Sequence, residues 1–85
     1  MRVTIIATDN RVNVEGFSES VDCSALVEEQ IHVVQWYGNV GEIEYWNAPG
    51  ATKIKGNVTI EDFSPYQKFY DAWVSEARKE IENVS

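Results

Sequence analysis

A single cysteine, Cys23, rules out an internal disulfide, so the chain is not built as a disulfide-stapled scaffold. A single histidine, His32, cannot join it in a recognisable zinc site, which needs about four Cys, His or carboxylate ligands at a fixed spacing. Basic residues are scarce: 7 Lys and Arg stand against 14 Asp and Glu, a net charge of −7. Binding a phosphate backbone requires clustered cations, and none are clustered, so nucleic acid is not expected as a direct partner. Neither a run of about 18 apolar residues nor a basic-then-apolar leader occurs, which favours a soluble, cytosolic product without membrane contact. Asn57-Val58-Thr59 matches a glycosylation acceptor, but without a leader it is read as inert.

Core-forming material is present. Hydrophobic residues make up 44% and aromatics 12% of the chain, which argues for a folded globule over disorder. At 85 residues this is one domain, spanning 1–85, near the lower limit for a single core. The acidic excess reads as solubility, within the roughly 2–8 charges usual for small domains.

Period-2 alternation points to strands over about 2–8, 11–14, 17–21, 31–37, 42–46 and 53–60, the third of them short. Asp9-Asn10 marks a turn, and a two-residue loop at Glu15-Gly16 sets Val14 opposite Phe17. "SALVEEQ" reads as a loop with one helical turn, Ser24 serving as its cap. "NAPGAT" carries a Pro-Gly turn, and Gly56 suggests a bulge or turn in the 53–60 segment.

The stretch "VVQWYGNVGEIEYW" reads as a hairpin looped at Gly38–Gly41. Tyr37 would then face Glu42, Trp36 face Ile43, Gln35 face Glu44, Val34 face Tyr45 and Val33 face Trp46. One face, with Val34, Trp36, Ile43 and Tyr45, is apolar and is assigned to the core. The other face holds Val33, Gln35, Tyr37, Glu42, Glu44 and Trp46, and these six residues are the candidate protein-binding surface.

The last segment has helical period. Ser64-Pro65-Tyr66-Gln67 fits a capped start, with Glu61 and Asp62 suited to the positive end of the dipole. Over about 65–83, Tyr66, Phe69, Tyr70, Trp73, Ala77 and Val84 form a stripe, with Val74 and Ile81 at its edge. Lys68, Asp71, Ser75, Arg78 and Glu82 lie opposite. Strands first and one amphipathic helix last favour an α+β fold: a small antiparallel, meander-like sheet of four or five strands with the helix on one face. The other sheet face then lies open.

Catalytic ingredients are thin. Asp22, Cys23 and His32 name the members of a thiol triad, but no spacing supports it, and Cys23 reads as a small buried hydrophobe. His32 shares the parity of Val34 and Trp36 and is read as structural. The carboxylate pairs Glu42/Glu44 and Glu28/Glu29 lack a loop of alternating acidic ligands and read as solvated charges. Gly38-Asn39-Val40-Gly41 lacks the lysine and following helix of a phosphate cradle. No catalytic residue, cofactor or metal is therefore expected.

"VDCSAL", "IHVVQWYGNVGEIEY" and "VTIEDFSPYQKFYDAW", within about Val21–Trp73, together resemble a family of small proteins of tailed phages and prophages, often encoded near tail or tail-fibre genes. The helix beyond Trp73 is longer and more charged than that pattern. The family has no assigned activity, so no residue roles carry over. What the resemblance implies is a protein partner, a larger phage structural component, with homo-oligomers as a further option. It also implies a place in the host cytoplasm during infection or in the virion. The expected function is a non-enzymatic virion-associated or tail-assembly accessory protein that docks through the open sheet face or an edge strand. The alternative is a phage-encoded inhibitor of a host factor, acting by protein binding or as an acidic nucleic-acid mimic.

Overall fold

The computed structural model describes residues 1–82, and it is α+β: an open antiparallel sheet of six strands and one long C-terminal helix. The strands are β1 (Val3–Ile6), β2 (Arg11–Val14), β3 (Phe17–Ser20), β4 (Ile31–Trp36), β5 (Gly41–Tyr45) and β6 (Val58–Ile60). The helices are α1 (Ser24–Glu28) and α2 (Gln67–Glu82). The strand order β3-β2-β1-β4-β5-β6 makes two three-stranded meanders laid side by side, not the single meander expected. The chain reaches the edge at β3, returns through α1 to the centre, and pairs β4 with β1.

Local chemistry explains the turns. Glu15 and Gly16 both have positive φ, 51° and 90°, the conformation of a two-residue loop matched to strand twist, and Val14 does face Phe17. Ala48-Pro49-Gly50-Ala51 closes through Ala51 N–H to the Ala48 carbonyl, with Gly50 at φ 81°. Asn47 clamps the base of that loop: its side-chain oxygen accepts from Lys55 N–H and its amide donates to the Lys55 carbonyl. Strand pairing therefore starts only at Val58, and the expected 53–60 strand shrinks to its last three residues. The first strand likewise ends at Ile6, where a 3₁₀ turn over Ala7–Asp9 begins.

The central hairpin keeps its expected faces but not its expected pairs. Val34 faces Ile43, Gln35 faces Glu42 and Trp36 faces Gly41, so the loop is Tyr37–Val40 and Gly41 belongs to the strand. A Cβ on Gly41 would overlap the Gln35 carbonyl oxygen and come within 2.8 Å of Trp36 Cε3. The glycine thus leaves room for the Gln35 carbonyl and the Trp36 ring, and lies in the strand, not in the turn. The offset from expectation is two residues, and an even shift leaves every side chain on its face. Beyond Val33 the register slips at a bulge: Ile31 pairs with Tyr45, and His32 is the extra residue. Ile31, not His32, takes the core position.

The core lies between the sheet and α2. Val3, Ile5, Val12, Val14, Val34, Trp36 and Ile43 point into it from the strands, and Leu26, Phe63 and Phe69 close it. The helix packs over β2 and β3, while Phe63 lies against Trp36 with ring centroids 5.4 Å apart. The caps differ from expectation at both helices. Ser64 is not the cap: Phe63 holds that position without a side-chain bond, and Ser64 donates to Asp62 through its N–H at 2.9 Å and its hydroxyl at 2.8 Å. Asp22 accepts Ser24 N–H in the same way, so Ser24 is not the cap of α1. Gln67 turns forward to Asp71 instead of back, and Ser64–Tyr66 form a 3₁₀ turn before the α-helix. Phe69 is buried and Tyr70 and Trp73 pack beside it, whereas Ile81 is exposed. The expected position of Val84 on the stripe, that of the Glu82 side chain and the expected helix end at 83 lie outside the described residues.

Candidate functional site

The sheet face away from α2 carries Thr4, Ile6, Asn13, Val33, Gln35, Glu42, Glu44 and Thr59 by strand parity. Four of the six candidate residues sit there on rigid strands: Val33 opposite Glu44, and Gln35 opposite Glu42. Tyr37 follows directly after β4, and its hydroxyl donates to Gln35 Oε1 at 2.8 Å. Arg2 Nη2 donates to the same oxygen at 3.4 Å, and the guanidinium carbon lies 5.3 Å from the Tyr37 ring centroid. Glu15 anchors Arg2 by accepting its backbone N–H at 2.8 Å. Arg2, Thr4, Ile6, Asn13 and Glu15 line an adjoining hollow of about 470 Å³. Toward β6, Asn57 Nδ2 donates to Glu42 Oε1 at 2.6 Å.

Trp46 is not part of this group. The two-residue offset sets Val33 opposite Glu44, and the bulge at His32 pairs Ile31 with Tyr45, so Trp46 lies past the last paired strand residue. Its N–H instead donates to the Gln30 carbonyl, and its ring stands with Thr8, Val27 and Ile31 around a separate hollow. Tyr37 and Trp46 are each 48% exposed, so both remain available to solvent, but at different places. Arg2 was missed by sequence reading. Its signal was faint, since only the pairing of β1 with β4 brings residues 2 and 35 together.

Cys23 is fully buried, its Sγ–H donates to the Val21 carbonyl, and burial pushes the thiol up to about 11. Asp22 points to Ser24, whose backbone N–H and hydroxyl hold its carboxyl below the usual range. Cys23, Asp22 and His32 share no hydrogen bond among the described residues, and no three His, Cys, Asp or Glu side chains there are grouped to hold a metal ion. No helix among the described residues is long and apolar enough to cross a membrane. In comparison with known proteins, no family model, no curated protein and no solved structure matches this chain.

Proposed function

We propose that this chain is a non-enzymatic protein-binding module, docking through its open sheet face onto a larger structural component of a tailed-phage particle or its assembly intermediate. The observation that carries the reading is the Tyr37–Gln35–Arg2 cluster on the side of the sheet that α2 leaves uncovered. Tyr and Arg are the side chains most often found as binding anchors, and here each is held in one orientation before any partner arrives. Val33 supplies an apolar contact beside them, and Glu42 and Glu44 a polar border. The phage assignment rests on the motifs between Val21 and Trp73.

The test is mass spectrometry of gradient-purified virions, followed by affinity capture with wild type and Tyr37→Ala. Stoichiometric presence in particles, or capture of a virion protein that Tyr37→Ala weakens about 30-fold, supports the reading. Tyr37 is half exposed, so the variant should fold with little loss of stability. Absence from particles together with capture that ignores Tyr37→Ala would sink it. Capture of a host protein instead would favour the inhibitor reading.

A further inference from the structure

At the opposite edge of the sheet, one core-facing position is occupied by a carboxylate. Glu19 pairs with Val12 across the β2–β3 ladder, so strand parity turns it under α2. It is 6% exposed, and its Oε2 is buried with no hydrogen-bond partner among the described residues. A buried, unpartnered polar atom costs free energy, and a charged one costs more. Glu19 forms the polar floor of a groove of about 440 Å³ between β3 and α2, walled by Phe17, Trp73, Ala77 and Ile81 with Glu80 beside it. Trp73 is fixed there, its indole N–H donating to the Phe17 carbonyl at 2.9 Å.

No cation lines this groove among the described residues. The charges of α2 that act on Glu19 are Glu80 and Glu76, with Glu76 already paired to Lys79 at 3.0 Å; among the described residues Arg11 on β2 opposes them. Glu19 holds its proton more tightly than an ordinary glutamate, first because the neighbouring Glu80 carboxyl can share that proton, then through burial and the negative charges of Glu80 and Glu76. Two carboxyl groups and an apolar wall call for a compact cation on an aliphatic stem. An ammonium brings three donors, enough for both carboxyls, while its methylenes cover aromatic surface.

We propose that the groove between β3 and α2 is a binding site for a lysine side chain of a protein partner, its ammonium seated on Glu19 and Glu80 and its stem lying along Trp73. A protein is favoured over a free amine by the rim: Phe17 and Ile81 are 72% and 74% exposed, more apolar surface than one small amine covers. Moreover β3 is the sheet's edge strand, open to an extended segment alongside it. An inward charge on an edge strand also discourages edge-to-edge association, a role that needs no ligand, and the experiment separates the two.

The experiment is an NMR titration of the full chain with the acetylated, amidated peptide Leu-Lys-Leu, its norleucine analogue and n-butylamine, following the Trp73 indole N–H. The lysine peptide should shift that signal and the amides of Phe17, Ser18 and Ile81, binding at least about tenfold tighter than the norleucine peptide and n-butylamine. Glu19→Gln should abolish the preference. Should that variant fail to fold, Glu80→Gln, at an exposed helix position, should weaken the preference severalfold. Tyr37→Ala should leave it unchanged, so failure here and failure of the open-face reading are distinguishable. Equal binding of the norleucine peptide, or indifference to both glutamine variants, overturns the proposal. So does n-butylamine binding as tightly as the lysine peptide, which would make the groove a small-amine site. Self-association of Glu19→Gln without any lysine preference in the wild type would leave edge protection as the role of Glu19.

Discussion

The centre of the sheet and its β3 edge obey the same alternation and reach opposite results. At the centre, the inward side chains are apolar, and Val3, Ile5, Val12 and Val34 have no solvent contact. At the edge, the same parity delivers Glu19 beneath α2 with one oxygen unpartnered. A dry, close-packed region resists change because a removed methylene leaves a cavity. A region that buries a carboxylate with one unpartnered oxygen has an interaction left to make. The open face, by contrast, is already satisfied within itself, since Gln35 accepts from both Tyr37 and Arg2 and Glu42 accepts from Asn57. Rigidity belongs to the centre and the open face, and unspent electrostatics to the edge.

That contrast can be broken by substitution. Ile5→Ala, in the dry centre, should destabilise the chain by about 2–5 kcal/mol in chemical denaturation. A loss below 1 kcal/mol would mean the centre is not tightly packed. Glu19→Gln should act in the other direction at neutral pH. The folded-state pKa of Glu19 lies above its ordinary value of 4.5, so the stability it contributes is present below pH 4.5 and is lost as pH rises through the raised value. Wild-type stability should therefore fall from pH 4.5 towards neutrality in a way that Glu19→Gln flattens; a wild type that gains stability across that range through Glu19 would overturn the contrast. The smallest effect on stability belongs to Cys23, raised from 9.0 to about 11. It stays protonated and contributes no pH dependence below pH 9, with stability lost only as pH climbs from 9 through 11. Thiol reagents at pH 8 should label it only after unfolding, and rapid labelling of the folded chain would show that the centre opens.

The faces of the sheet were legible because alternation is local. Val34, Trp36, Ile43 and Tyr45 could be assigned together without knowledge of any other strand, and the structure keeps them on one side. Glu19 could have been found in the same way. With Val14 opposite Phe17, counting two residues on sets Glu19 opposite Val12, an inward acid in an otherwise apolar row. The hairpin pairs were harder, because "GNVG" offers two glycines, and only the close approach of the Gln35 carbonyl and the Trp36 ring to Gly41 shows that the second lies in the strand. Trp46 was misplaced by the same two-residue offset, and the bulge at His32, which leaves no mark in the pattern, carries it one step further to Gln30.

The sequence by itself determined the class of fold, the inward and outward sets of most strands, and the amphipathic C-terminal helix, expected over about 65–83 and found at Gln67–Glu82. These follow from periods of 2 and 3.6, which depend on neighbours along the chain. Only the tertiary structure decided that β4 returns to the centre to pair with β1 and so brings Arg2 to Gln35 and Tyr37. It alone decided that α2 lies over β2 and β3, where it buries Glu19 beside Glu80. Both outcomes join residues more than 30 positions apart, and contacts at that separation are selected by the packing of the whole core, not by any local preference.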